Sequence, residues 1–144
     1  MQIQLNRINE GVHLQALNEE GHRVELDGSE AIGGENQGFR PMQMLLVALG
    51  SCASMDVLSI LKKQRQKVES YTVIIDGERE ANQVPSLFTN IHVRFEFIGE
   101  LDENKIRRAI ELSMGTYCSV TKTLEKTAKI TSSFILNNHE EQRI

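Results

Sequence analysis

A stretch opening at Pro41 constrains this chain more than any other. Met44, Leu45, Ala48, Leu49, Cys52, Met55, Leu58 and Leu61 recur at spacings of three and four, the period of an α-helix, and Pro41 supplies the fixed φ favoured at a first helical position. Between Met44 and Leu49 the apolar residues cover more than one stripe, so this helix has to be buried on several sides rather than laid with one face on a sheet. It runs on to Lys62-Lys63-Gln64-Arg65-Gln66-Lys67, whose positive charges suit the negative end of a helix dipole. Gly50 and Ser51 interrupt the pattern just before Cys52, and small residues there permit a kink or the close approach of another backbone.

The rest of the chain has to supply what buries that helix. At 144 residues, with 40% apolar and 25% charged side chains, it carries enough for one core and too little for a second. A net charge of −4 with no long block of either sign argues against nucleic acid or a membrane surface as partner. The polar start MQIQLNRINE does not read as a secretion signal, and the longest uninterrupted apolar run, Met44 to Leu49, is too short for a bilayer. The expected location is the cytoplasm.

Before the helix, Gln2 to Asn6, Val12 to Leu17 and His22 to Leu26 read as three short strands. The breaks between them, Asn9-Glu10-Gly11 and Asn18-Glu19-Glu20-Gly21, place glycine where a tight turn favours positive φ. The glycine-rich segment Asp27 to Arg40 reads as a flexible surface connection. After the helix come strands at Tyr71 to Asp76 and Ile91 to Ile98. In the second, Ile91, Val93, Phe95 and Phe97 alternate with His92, Arg94 and Glu96, the pattern of a half-buried antiparallel strand. Asp102 is a suitable N-cap for a second helix through Ile106, Ala109, Ile110 and Leu112. A short third helix fits Val120 to Lys126, and Lys129 to Leu136 is a last strand before a polar tail. This order defines an α+β chain rather than a regular parallel array.

Few residues offer chemistry. No glycine-rich phosphate loop is present. His13, His22, His92 and His139 share no ligand spacing, so a metal site is not expected. Cys52 and Cys118 are too far apart for a CxxC motif, and from the residues alone they fit either small buried hydrophobes or a redox pair.

Four segments together carry a resemblance. Gly34 to Gln66, containing GFRPMQMLLVALGSCASMDVLSILKKQRQ, then DGER (Asp76 to Arg79), P-x-x-F-T-x-I (Pro85 to Ile91) and YCSV (Tyr117 to Val120), resemble the OsmC/Ohr family over nearly the whole chain, most closely its OsmC-like "predicted redox protein" branch. The resemblance implies one OsmC-like domain over residues 1–144. It implies an intertwined homodimer in which two six-stranded antiparallel sheets wrap around paired central helices, with a site at each dimer interface.

The implied chemistry is reduction of an organic hydroperoxide, in oxidative stress defence. Cys52 attacks and becomes a sulfenic acid, Cys118 resolves it to a disulfide, and a dithiol reductant restores both thiols. No metal, flavin or other cofactor enters. The peroxidases of the family are thought to hold thiolate and peroxide with an Arg from the N-terminal hairpin and a Glu just after the helix-starting Pro. Here Met42 and Gln43 follow Pro41, and the turn at Asn9 lacks the arginine, which leaves Arg7, Arg40 and Arg79 as candidate substitutes. Asp56, one helical turn beyond Cys52, would oppose ionisation of the thiol if close. These departures make an alternative role, binding a small apolar ligand or sensing redox state with little turnover, the second expectation.

Overall fold

The computed structural model describes residues 1–144, which divide into two compact units, Met1–Leu45 and Leu46–Ile144. The first unit holds β1 (Ile3–Arg7), β2 (Leu14–Asn18) and β3 (Arg23–Leu26), an antiparallel three-stranded sheet in the order of the chain. Gly21 makes its turn at φ +84°, as expected of glycine. At Gly11 the reason is space: the Gly33 carbonyl oxygen occupies the place of a side chain.

The segment after β3 is an organised cap, which corrects the flexible connection expected from its glycines. The Asp27 carboxylate, 2% exposed, accepts backbone N–H bonds from Gly28 at 2.6 Å, Glu35 at 2.9 Å and Gln37 at 3.0 Å. The Gln37 bond, foremost among these amides, holds its carboxyl below the ordinary value. A depressed folded-state pKa stabilises the cap above the ordinary carboxylate range, and that stabilisation is lost as pH falls through the folded value. Arg40 adds bonds to the Asp27 and Gly28 carbonyls and to the Asn36 side chain. Gly34 lies against the backbone of Gly28, where a Cβ has no room. Gly34→Ala is therefore expected to lower stability by about 1–3 kcal/mol, read as a lower urea midpoint at unchanged slope.

The long helix α1 (Pro41–Lys63) begins as its sequence requires. Gln43 reaches back to accept the Arg40 N–H at 2.8 Å, the reciprocal half of a capping box. The helix stops at Lys63 instead of running through Lys67, because Arg65 turns left-handed at φ +57° and Gln66 N–H closes onto the Leu61 carbonyl at 3.0 Å. By length and composition alone α1 is long and apolar enough to cross a bilayer, a property shared with core helices. Within the second unit Leu49, Ala53, Val57 and Leu61 are wholly buried.

The second unit also holds a four-stranded sheet, β4 (Ser70–Arg79), β5 (Phe88–Ile98), β6 (Lys129–Leu136) and β7 (Gln142–Arg143), in that order. On β5, Ile91, Val93, Phe95 and Phe97 are buried and the residues between them are not, as the alternation requires. The Ile75 side chain fills the space a Gly50 side chain would occupy, so the glycine serves a close approach, by a side chain rather than a backbone. β4 pairs antiparallel to β5, but β5 pairs parallel to β6, with Phe95 opposite Phe134. The chain thus carries sheets of three and four strands with one parallel pair, not six-stranded antiparallel ones. A parallel pair needs a crossover, and residues 99–128 provide it: α2 (Glu103–Leu112), a π-turn at Ser113–Tyr117 and α3 (Ser119–Leu124). Asp102 caps α2 as expected, accepting from Asn104 N–H at 2.8 Å and Lys105 N–H at 3.3 Å. Arg107 lies over the Phe134 ring at 5.4 Å, fixing the crossover to the sheet.

Candidate functional site

Cys52 sits midway along α1 and Cys118 between the π-turn and α3 of the crossover; both are free thiols of the second unit, and Cys52 is near enough to act on the Cys118 thiol. The π-turn places Cys118. Its wide loop closes with Cys118 N–H on the Ser113 carbonyl at 2.9 Å, and such turns re-aim the residues that follow them. Cys118 then caps α3, its sulfur accepting the Thr121 N–H at 3.4 Å. Cys118 and Ser113 are both 0% exposed, whereas Cys52 is half-buried. Burial, foremost, and the neighbouring Cys52 push the Cys118 thiol above its ordinary value, outweighing Thr121. Cys118 is therefore held as a thiol.

Ser113, which the sequence did not single out, ties α1 to the crossover beside this pair. Its hydroxyl lies 3.3 Å from the Ala53 carbonyl and 3.2 Å from Asp56 Oδ2. Beyond Asp56 an open groove of about 600 Å³ runs between Ile60 and Lys63 of α1 and Leu112 and Tyr117 of the crossover. On the other side of α1, Tyr71 donates to Ser54 Oγ at 2.7 Å, and Ser54 donates to the Gly50 carbonyl at 2.6 Å.

Burial pushes the Tyr71 phenol up to about 12. A raised folded-state pKa gives stability that is intact below the unfolded value of 10 and lost as pH rises through 12. Alkaline unfolding should thus steepen in that window, by about 2 kcal/mol in total. Tyr71→Phe should flatten it and lose about 1 kcal/mol at neutral pH with the hydroxyl bond, as measured by urea unfolding at stepped pH.

The arginines are otherwise engaged. Arg40 bonds to the Asp27 and Gly28 carbonyls and to Asn36. Arg79 donates to the Ser86 carbonyl from Nε at 3.1 Å and from Nη2 at 2.7 Å. Arg7 lies exposed on β1. None hydrogen-bonds to either sulfur. His92 does not stand free on the sheet: its ring meets Thr131 Oγ1 and Ser133 Oγ, each at 2.8 Å. No group of three His, Cys, Asp or Glu side chains is gathered as metal ligands would be.

The α+β order of elements and the two free thiols, one on the long helix and one in the crossover, are what the comparisons have to account for. The chain belongs to the OsmC family, whose profile, described as OsmC-like protein, matches residues 34–133. It is 37% identical over 126 residues to protein YhfA of Escherichia coli K12, covering 87% of this chain and 90% of that protein. A hypothetical protein from Aquifex aeolicus has the same fold at a TM-score of 0.82 and 27% identity, over 96% of this chain and 97% of its own. A putative organic hydroperoxide resistance protein from Vibrio cholerae, with captopril bound in one of its active sites, shares the fold at a TM-score of 0.65 and 14% identity, over 98% of this chain and 94% of its own.

Proposed function

We propose that the protein reduces organic hydroperoxides with Cys52 as attacking thiol and Cys118 as its resolving partner. The observation that carries this reading is the unequal pair: a half-buried Cys52 neighbouring a sealed Cys118 whose thiol is pushed above its ordinary value. The Cys52 sulfur attacks the distal peroxide oxygen, the O–O bond breaks, and the sulfur becomes a sulfenic acid as the alcohol leaves. Cys118 then displaces water from that sulfur to form the disulfide, and a dithiol returns both residues to thiols. Proteins described as organic hydroperoxide resistance proteins share the fold, which supports the choice of activity but does not bear on the two residues.

A single OsmC-like domain acting as a homodimer belongs to the same proposal. Val47, Met55 and Leu58 leave α1 with exposed apolar side chains, and a second copy would bury them. A cytoplasmic location suits two adjacent free thiols.

The direct test is loss of cumene hydroperoxide in the presence of a dithiol. Disappearance of peroxide in proportion to protein supports the reading, and none beyond the buffer rate refutes it. The engagement of Arg40 and Arg79 elsewhere favours a second reading, a ligand-binding or redox-sensing protein of little turnover. Native mass spectrometry of the purified protein separates the two, since a retained small molecule without peroxide turnover supports the second.

A further inference from the structure

Resting on that reading, we infer that Asp56 is the group that takes the thiol proton from Cys52 and delivers it to the leaving alcohol, and that Ser113 positions it. Three observations converge. Asp56 follows Cys52 by four residues in α1, which puts their Cβ atoms about 5–6 Å apart on one helix face. The carboxylate is held from one side, with Oδ2 accepting from the hydroxyl of the wholly buried Ser113 at 3.2 Å. Oδ1 has no protein partner, Asp56 forms no ion pair, and the residue lines the open groove. One oxygen is fixed and the other is free.

The surroundings of Cys52 supply the need. No arginine or lysine bonds to its sulfur, and its mid-helix position denies it the field of a helix end. The titratable groups sharing the groove with Asp56 are Lys63 of α1 and Tyr117 of the π-turn. In the step assigned to Asp56 the proton leaves as the sulfur–oxygen bond forms. Cys52 S–H passes its proton to Asp56 Oδ1 while the sulfur attacks the distal oxygen of ROOH. The electron pair of the O–O bond goes to RO, and Asp56 returns the proton to it. The thiol is oxidised to sulfenic acid, the hydroperoxide is reduced to ROH, and Asp56 ends as it began.

The test compares two reactions of Cys52 in wild type and Asp56→Asn. Reduction of cumene hydroperoxide, followed by stopped flow, needs a proton at the leaving group, whereas alkylation by iodoacetamide, which releases iodide, does not. The variant is expected to lose about 100-fold or more in the rate of peroxide reduction, while alkylation, which loses only the proton acceptor and not the returned proton, falls by about tenfold or less. Its residual rate should rise about tenfold per pH unit below the thiol pKa, since it then depends on preformed thiolate, and the wild-type profile should be shallower. Ser113→Ala, which keeps the carboxylate but frees it, should lose roughly tenfold, with recovery in Ser113→Thr. It also provides the answer should Asp56→Asn fail to fold. Peroxide reduction within threefold of wild type in the variants, or equal losses in both reactions, overturns the inference. A wild-type protein that reduces no hydroperoxide overturns the proposed function itself, and this step with it.

Discussion

Cys52→Ser should abolish hydroperoxide reduction, a loss of at least about 10³-fold, because a serine hydroxyl is neither a comparable nucleophile nor oxidisable to a sulfenic acid. Cys118→Ser should behave differently. Cys52 is retained, so one equivalent of peroxide per chain gives the unresolved sulfenic acid and a second, consumed more slowly, oxidises it to sulfinic acid. Peroxide titration together with intact-protein mass spectrometry reads both outcomes. Equal steady-state turnover in wild type and Cys52→Ser would remove the role assigned to that residue. Equal turnover in Cys118→Ser would mean that the reductant reaches the sulfenic acid directly.

The largest effect on stability is expected at Phe95. It lies at the middle of β5, 0% exposed, with Val73 of β4 and Phe134 of β6 beside it in register and the Tyr71 ring 6.5 Å away. Removing the ring empties the point where three strands meet, and Phe95→Ala should lose about 3–5 kcal/mol. Phe95→Leu, which keeps most of the volume, should lose under half of that. Urea unfolding followed by circular dichroism measures both.

Local physics made much of the second unit legible. Strict alternation from Ile91 to Phe97 named the buried face of β5, and Asp102 marked the start of α2 by the chemistry of its side chain. What escaped depends on partners distant in sequence. An alternating strand looks the same beside a parallel or an antiparallel neighbour, so the pairing of β5 with β6 could not be read from it. The organised cap after β3 depends on one carboxylate, Asp27, collecting amides as far along as Gln37, and glycine-rich composition conceals such a centre.

The same limit governs the candidate site. Spacing says nothing about whether Cys52 meets Cys118, and only the family resemblance suggested it. Ser113 carried no motif, yet its hydroxyl links the crossover to Ala53 and Asp56. The candidate arginines were proposed from charge alone, and local carbonyls engage Arg40 and Arg79.

The parallel register of β5 and β6 also bears on how the protein is made. That register can close only after the intervening residues 99–128 have been laid down and docked, and pairings separated by so much chain form slowly. Until then the two sulfur atoms belong to independent segments of a nascent polypeptide, each open to oxidants and to thiols of other molecules. Renaturation from denaturant should accordingly give monodisperse protein when a reductant is present throughout, and mixed intermolecular disulfides when it is added only after refolding.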